Sequence, residues 1–134
     1  MKPSMLDTDV LSEFLRGNRK VVAKVDEHLR EYGYINLSII TYYEILNGLL
    51  YKDAKKQLSL FEEFIGLNKV IPLTLQSARL AANIQAVLRK KGTVIGHTDT
   101  LIAGIVMSNG FQLITNNTEH FKRIKDIEIA NWTK

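Results

Sequence analysis

Short apolar runs alternate along the chain with stretches in which apolar residues recur every three or four positions. The short runs predict five strands, at residues 4–7, 34–37, 69–73, 111–115 and 127–132. The periodic stretches predict helices at residues 9–15, 19–31, 39–51, 54–66, 75–91, 101–107 and 118–125. Strands that alternate with helices are typical of a parallel sheet covered by helices on both faces. The predicted fold class is therefore α/β, with residues 1–134 forming a single domain.

Two local signals refine this pattern. Residues 101–107 are apolar nearly all round, which predicts a buried helix that ends at Asn109 and Gly110. Pro72 lies in the third predicted strand, and proline has no N–H to donate to a neighbouring strand. The third strand should therefore end near Pro72 or lie at an edge of the sheet.

Composition excludes several classes of protein. The chain has 134 residues, 46% of them hydrophobic, which is enough for an ordered core. It has no cysteine, so disulfides, thiol catalysis and zinc–thiolate sites are excluded. No apolar run approaches the roughly 18–20 residues of a membrane span, and the N-terminus lacks the apolar stretch of a signal peptide. We therefore expect no membrane association and a cytoplasmic location.

The charge balance is basic, with a net charge of +4 and a pI of about 9.3. The basic residues form three clusters, namely Lys52/Lys55/Lys56, Arg89/Lys90/Lys91 and Lys122/Arg123/Lys125. Such clusters are often only solvated helix ends. They are also the usual means by which a protein attracts nucleic acid, so a polyanionic partner is one open interpretation.

Four acidic residues are predicted to lie near the carboxyl edge of the sheet, where parallel α/β folds bind their ligands. Asp7 and Asp9 follow the first strand, Glu44 lies in the helix after the second strand, and Asp99 precedes the buried helix. Glu44 has small neighbours one turn away, Thr41 and Gly48, which leave room beside its carboxylate.

Each of these acids also has an ordinary structural interpretation. Asp7, Asp9 or Asp99 could cap a helix, and Glu44 could occupy an exposed helical position. Several carboxylates gathered at one edge repel one another, however, and a divalent cation removes that repulsion. Ligands that are all oxygen favour Mg²⁺ or Mn²⁺.

Four segments of the chain resemble one known family. They are MLDTDVLSEFL, SIITYYEILNGL, HTDTLIAGIVMSNGFQLITNN, and EHFKRI followed by IEIANW. In this order and over nearly the whole chain, they resemble the VapC-like toxins of the PIN-domain superfamily. The resemblance implies a compact α/β/α sandwich around a parallel sheet, usually a homodimer. It also implies a Mg²⁺- or Mn²⁺-dependent endoribonuclease that cleaves structured RNA, often tRNA or ribosomal RNA, and a cognate VapB-like antitoxin that blocks the active site.

Matched position by position, the resemblance assigns catalysis and metal binding to Asp7, Glu44 and Asp99. Asp9 would orient metal-bound water or an adjacent ligand, and Thr115 and Asn117 would contact water or the scissile phosphate. Asn117 stands where the family often has an aspartate.

Two other functions remain open at this stage. Asp7-Thr8-Asp9 also fits the Asp-x-Asp motif of haloacid-dehalogenase-like phosphatases, with Asp7 as nucleophile and Asp9 as acid. The chain has no convincing equivalent of that family's later lysine or acidic motif. A PIN-like module that binds RNA or protein without cleaving anything is the other possibility.

Overall fold

The computed structural model describes all residues, 1–134, and contains five strands and seven helices. The strands are β1 (Ser4–Leu6), β2 (Asn36–Ser38), β3 (Lys69–Ile71), β4 (Gln112–Ile114) and β5 (Ile129–Ala130). The helices are α1 (Thr8–Leu15), α2 (Arg19–Tyr32), α3 (Ile39–Tyr51), α4 (Lys55–Leu67), α5 (Leu75–Lys90), α6 (His97–Ser108) and α7 (Thr118–Phe121). No helix is both long enough and apolar enough to cross a bilayer.

All five strands are parallel and follow the order β3-β2-β1-β4-β5. The α/β fold class with a central parallel sheet is therefore confirmed. β1 lies in the middle, so the segment that follows it is flanked by the segments that follow β2 and β4. Because the strands are parallel, these three segments leave the sheet at the same edge.

The sheet has an apolar core on each face, which confirms the predicted sandwich. Neighbouring residues of one strand point to opposite faces, so Met5 and Leu113 belong to one core, and Leu6 and Ile114 to the other. Helices α5 and α6 cover the first face. Helices α1, α2 and α4 cover the second, where the largest fully buried side chain is Phe61.

The structure differs from the sequence prediction at some element ends. β3 is an edge strand that ends at Ile71, so both expectations drawn from Pro72 hold. Helix α6 begins at His97 rather than residue 101, because the polar residues 97–100 form a first turn that the apolar pattern does not reveal. Helix α7 is one turn long and ends at Phe121, whereas the prediction extended it to residue 125.

A buried histidine joins α2 to the central strand. The His28 side chain is fully buried, and its Nε2 accepts a hydrogen bond from the Ser4 backbone N–H at 3.1 Å. This bond leaves the proton on Nδ1, which donates to the Tyr34 carbonyl at 3.0 Å. Burial lowers the pKa of His28, because the charged ring would lose its hydration and point an N–H at another N–H.

The His28 contacts predict a loss of stability in acid. A folded-state pKa below the ordinary value means that the unfolded chain binds more protons, so this contribution falls as the pH drops below about 6.5. We expect the advantage of the wild type over His28→Gln in unfolding free energy to shrink by up to about 1.4 kcal/mol per pH unit. Urea titrations at pH 7.5, 6.5 and 5.5 measure that difference. A difference that does not vary with pH would contradict the prediction.

Candidate metal and catalytic site

The predicted acidic residues meet at the carboxyl edge of the sheet because of the strand order. Asp7 directly follows β1, Glu44 lies in the helix after β2, and residues 115–117 follow β4. Helix α6 runs back toward the start of β4, so its first turn, which carries Asp99, begins at the same edge.

Asp7 is the most deeply buried acid of the group, with 7% of its surface exposed. It is the N-cap of α1, and its Oδ1 accepts the Thr8 backbone N–H at 2.9 Å. Its Oδ2 accepts the Thr115 hydroxyl at 2.9 Å. Burial, and then repulsion from Asp9 and Asp99, raises the pKa of Asp7 to about 7 despite these bonds. Asp7 therefore does cap α1. The cap alone does not explain why a carboxyl group whose ionised form is disfavoured by burial and repulsion lies here.

Asp9 lies in the first turn of α1 and is held through both oxygens. Its Oδ1 accepts the Val10 backbone N–H at 2.7 Å, and its Oδ2 accepts the Asn116 backbone N–H at 3.1 Å. Burial raises the pKa of Asp9, the two hydrogen bonds oppose that rise, and the charge of Asp99 adds to it. Asp9 thus joins α1 to the loop after β4 and belongs to the same electrostatic cluster as Asp7.

Glu44 is half-buried and is tied to the residue between the two aspartates. The Thr8 hydroxyl donates to Glu44 Oε1 at 2.6 Å and lies 3.0 Å from the Thr41 hydroxyl. Glu44 is therefore not a freely solvated position on the helix surface. Sequence reasoning did not assign a role to Thr8, although its place between two acids in Asp-Thr-Asp was a usable signal.

Asp99 has a partner that the sequence analysis did not identify. His120 Nε2 lies 3.0 Å from Asp99 Oδ2, which links α7 to the first turn of α6. His97, two residues before Asp99, does not contact that carboxylate. Its Nδ1 instead lies 3.4 Å from Gln85 Nε2. The proximity of His120 follows only from the packing of α7 beside α6.

Thr115 contacts Asp7, whereas Asn117 is linked to the acids only through Thr115. Thr115 is fully buried, bonds Asp7, and accepts the Asn117 backbone N–H on its hydroxyl at 3.0 Å. Asn117 is the N-cap residue of α7, yet its side chain makes no capping hydrogen bond. The capping role that Asn117 could have had is therefore absent, and its amide group is available for other contacts.

The acids converge without forming a finished cation cage. No three acidic or histidine side chains approach closely enough to surround a single ion as they stand. Their charges nevertheless act on one another, since Asp9 and Asp99 both raise the pKa of Asp7. Apart from the His120 ring beside Asp99, the donors at this edge are carboxylate, hydroxyl and amide oxygens, a set that suits Mg²⁺ or Mn²⁺ rather than zinc.

A groove of about 320 Å³ adjoins Glu44 between α1, α3 and α4. Its apolar walls are formed by Leu15, Ile45, Leu49, Leu60 and Phe61. Thr8 and Glu44 line it on the acidic side, and Gly48 leaves the space beside Glu44 open, as expected from the sequence. Two basic residues, Arg16 and Lys52, also line the groove.

The sequence profile of the PIN domain matches residues 4–127. The chain belongs to the PIN domain family. This membership excludes the phosphatase interpretation of Asp7-Thr8-Asp9, because that motif here lies in a PIN fold.

Within the PIN family, the chain is similar to ribonucleases named VapC. The tRNA(fMet)-specific endonuclease VapC of Salmonella typhimurium is 36% identical over 112 residues, which cover 79% of this chain and 85% of that protein. Ribonuclease VapC1 of Haemophilus influenzae strain R2866 is 29% identical, with 97% and 98% covered.

Solved structures agree with this grouping. The DNA-bound VapBC complex of Salmonella typhimurium contains a chain that superposes with a TM-score of 0.89 and 30% identity. The superposition covers 98% of this PIN domain and 99% of that chain. The α/β/α sandwich expected from the sequence is thus the fold of PIN domains found in VapBC complexes.

Proposed function

We propose that this PIN domain is a metal-dependent endoribonuclease and the toxin of a VapBC-type toxin–antitoxin pair, acting in the cytoplasm on structured RNA such as tRNA or ribosomal RNA. The observation that carries the proposal is the buried Asp7 carboxyl, whose pKa is raised to about 7 among Asp9 and Asp99. The ionised form of such a group opposes folding, so stability alone does not explain its place. Relatives that share this fold over most of their length are named ribonucleases.

Asp7, Glu44 and Asp99 would hold a Mg²⁺ or Mn²⁺ ion. The fit rests on the raised pKa of Asp7, since a nearby cation would stabilise its ionised form and offset the repulsion from Asp9 and Asp99. A bound divalent ion supplies polarisation of a phosphoryl oxygen and a water of lowered pKa.

The remaining residues of the site orient what these three acids hold. Asp9, fixed by backbone N–H groups at both oxygens, would accept a hydrogen bond from water that approaches the phosphodiester. Thr115 donates to Asp7 Oδ2 and so helps to fix the orientation of that carboxylate. The unused amide of Asn117 can donate to a phosphate oxygen or to water. Water would add to phosphorus. The bond from phosphorus to a ribose oxygen would break, and that oxygen would take up a proton.

The first test is cleavage of RNA by the purified protein. We expect total RNA to be cut internally with Mg²⁺ or Mn²⁺ and to stay intact with EDTA. Glu44→Gln keeps the size of the side chain and its contact with Thr8 but removes the charge, so cleavage should fall by at least about a hundredfold. Glu62→Gln, an exposed glutamate on α4, is the matched control.

The outcomes of this test separate the two remaining functions. A protein that binds RNA but leaves it intact under all these conditions would be the non-catalytic PIN-like module. Full cleavage by Glu44→Gln with unchanged dependence on metal would exclude Glu44 from the site. Sequencing of the cut ends identifies the RNA substrate and the bond that is cleaved.

The groove beside Glu44 would receive a segment of the antitoxin. Its walls are leucine, isoleucine and phenylalanine side chains that a partner could cover, and the chain's structural neighbours come from VapBC complexes. The carboxylates next to the groove favour a basic residue on that segment, since a guanidinium pairs with carboxylates through two parallel hydrogen bonds. A homodimer remains a prediction from the family.

The toxin role has its own test. Expression of the wild-type chain alone should arrest bacterial growth, and expression of Glu44→Gln at the same level should not. Co-expression of the antitoxin should restore growth. Harmless expression of a soluble protein that cleaves RNA in vitro would contradict the toxin role and leave the ribonuclease proposal intact.

A further inference from the structure

The loop after β4 holds two of the site's aspartates at once. Thr115 donates its hydroxyl to Asp7, and the Asn116 backbone N–H donates to Asp9. The next backbone N–H, that of Asn117, donates to the Thr115 hydroxyl. A displacement of this loop therefore disturbs one hydrogen bond of each carboxylate.

One side of the loop is fixed by the sheet and the other by a segment that follows β5. On the sheet side, the Thr115 backbone N–H donates to the Ala130 carbonyl at 3.0 Å. On the other side, the Thr133 hydroxyl lies 2.9 Å from Asn116 Oδ1 and shares its one proton between that oxygen and Asn131 Oδ1. Asn116 is itself exposed, so the contact with Thr133 is what holds its side chain.

Thr133 is itself firmly placed. Its backbone N–H donates to Asn131 Oδ1 at 2.7 Å, and its hydroxyl lies 2.6 Å from the same oxygen. Between these two residues, Trp132 is 6% exposed and packs in the core of the sheet face covered by α1, α2 and α4. We call the hydrogen-bonded side chains of Asn116, Asn131 and Thr133 the clip. Through the Thr133 hydroxyl, the clip joins the site loop to the segment that is held in the core by Trp132.

We propose that Thr133 is a positioning residue for the metal site, acting through Asn116 on Asp9. The effect of Thr133 on metal binding and cleavage rests on the proposed function. Its effect on the position of Asn116 rests on the clip alone. Thr133 lies outside the four segments that carry the resemblance and touches none of the acids, so its role follows only from the hydrogen bonds of the fold.

The test compares two substitutions at Thr133. Thr133→Val keeps the shape and removes the hydroxyl, whereas Thr133→Ser keeps the hydroxyl and removes the methyl group. In metal-free protein with EDTA, we expect the Asn116 backbone N–H to exchange about threefold to tenfold faster in Thr133→Val, the size of one hydrogen bond. Thr133→Ser should restore the wild-type rate. NMR measures this exchange in the full chain, and fluorescence of the single tryptophan, Trp132, confirms that each variant is folded.

The consequence for the site is measured separately. Thr133→Val should weaken binding of Mn²⁺ alone, followed by calorimetry, by about threefold to tenfold. It should lower kcat for RNA cleavage by a similar factor and leave KM unchanged, because Thr133 lies outside the groove. Asn116→Ala, which keeps the backbone N–H but removes the side chain, should reproduce these effects. The double variant should be no worse than either single one, since both remove the same contact.

Several results would overturn the proposal. Unchanged exchange at Asn116 in Thr133→Val would mean that the hydroxyl does not hold the loop. Faster exchange with unchanged Mn²⁺ binding and kcat would mean that the clip does not serve the site. Equal defects in Thr133→Ser and Thr133→Val would assign the effect to the methyl group. A wild type that neither binds Mn²⁺ nor cleaves RNA would overturn the proposed function instead, and the exchange rates would still decide whether the clip holds Asn116.

Discussion

Replacing Asp7 by asparagine is expected to raise the stability of the metal-free protein and to abolish RNA cleavage. The pKa of Asp7 is raised from 3.8 to about 7 because the carboxyl is buried near Asp9 and Asp99. Ionised Asp7 therefore opposes folding by up to about 4 kcal/mol above pH 7. Asparagine caps a helix as well as aspartate does and has no charge to bury. We expect a gain of about 2–4 kcal/mol, or roughly 7–14 °C in Tm for a chain of this length.

The gain from Asp7→Asn should depend on pH in a defined direction. The folded protein binds the extra proton between pH 3.8 and about 7, so the wild type loses stability as the pH rises through this range. The difference between variant and wild type should thus be absent near pH 4 and complete above pH 7. Melting curves in EDTA at pH 4.5, 6 and 8 measure it. Asp26→Asn, at an exposed position on α2, is the control for a simple change of charge.

Metal should reverse the ranking of the two proteins. A cation that binds only the folded state stabilises it by RT ln(1 + [L]/Kd), where [L] is the free cation concentration and Kd its dissociation constant. Mn²⁺ should therefore raise the Tm of the wild type and have little effect on Asp7→Asn. A variant that is less stable than the wild type at pH 8 in EDTA would show that the ionised carboxylate favours folding, and the case for Asp7 as a metal ligand would lose its physical basis.

Replacing Gly104 by alanine is expected to destabilise the fold strongly. Gly104 lies on α6 where that helix crosses α5, and a Cβ there would be 2.4 Å from the Ser77 carbonyl oxygen and 2.9 Å from the Ala81 Cβ. One neighbour is a backbone oxygen of α5 and the other is the short side chain of an α5 alanine. Neither can move aside unless the whole helix moves. Separating α5 from α6 should cost about 2–4 kcal/mol even after the gain in helix propensity, or roughly 7–14 °C in Tm.

The same substitution should also weaken the site. Asp99 lies in the first turn of α6, so a shift of this helix moves it relative to Asp7. We expect lower Mn²⁺ affinity as well as a lower Tm, measured by calorimetry and by thermal melts. Gly66→Ala is the matched control, because Gly66 is helical and a Cβ there meets no atom within 4 Å. It should stabilise α4 by up to about 1 kcal/mol. A Gly104→Ala protein as stable as the wild type would contradict the close helix crossing.

The sequence by itself determined the fold class, most of the elements and the one edge of the sheet at which four acids were expected to lie. Short apolar runs are a local signal and predicted all five strands, and the parallel sheet followed from their alternation with helices. The prediction was weakest where local signals compete. The first turn of α6 is polar, and α7 is too short to show a period, so their ends at His97 and Phe121 differ from the predicted ones.

Only the tertiary structure decided which groups touch. Strand order set β1 between β2 and β4, and this order brings Thr115 to Asp7 across 108 positions of the chain. The contacts of Thr8 with Glu44, His120 with Asp99, and Thr133 with Asn116 likewise join residues far apart in sequence. Burial, which raises the pKa of Asp7, is also a property of the folded chain. No local pattern encodes these contacts, because they depend on how whole helices and strands pack against one another.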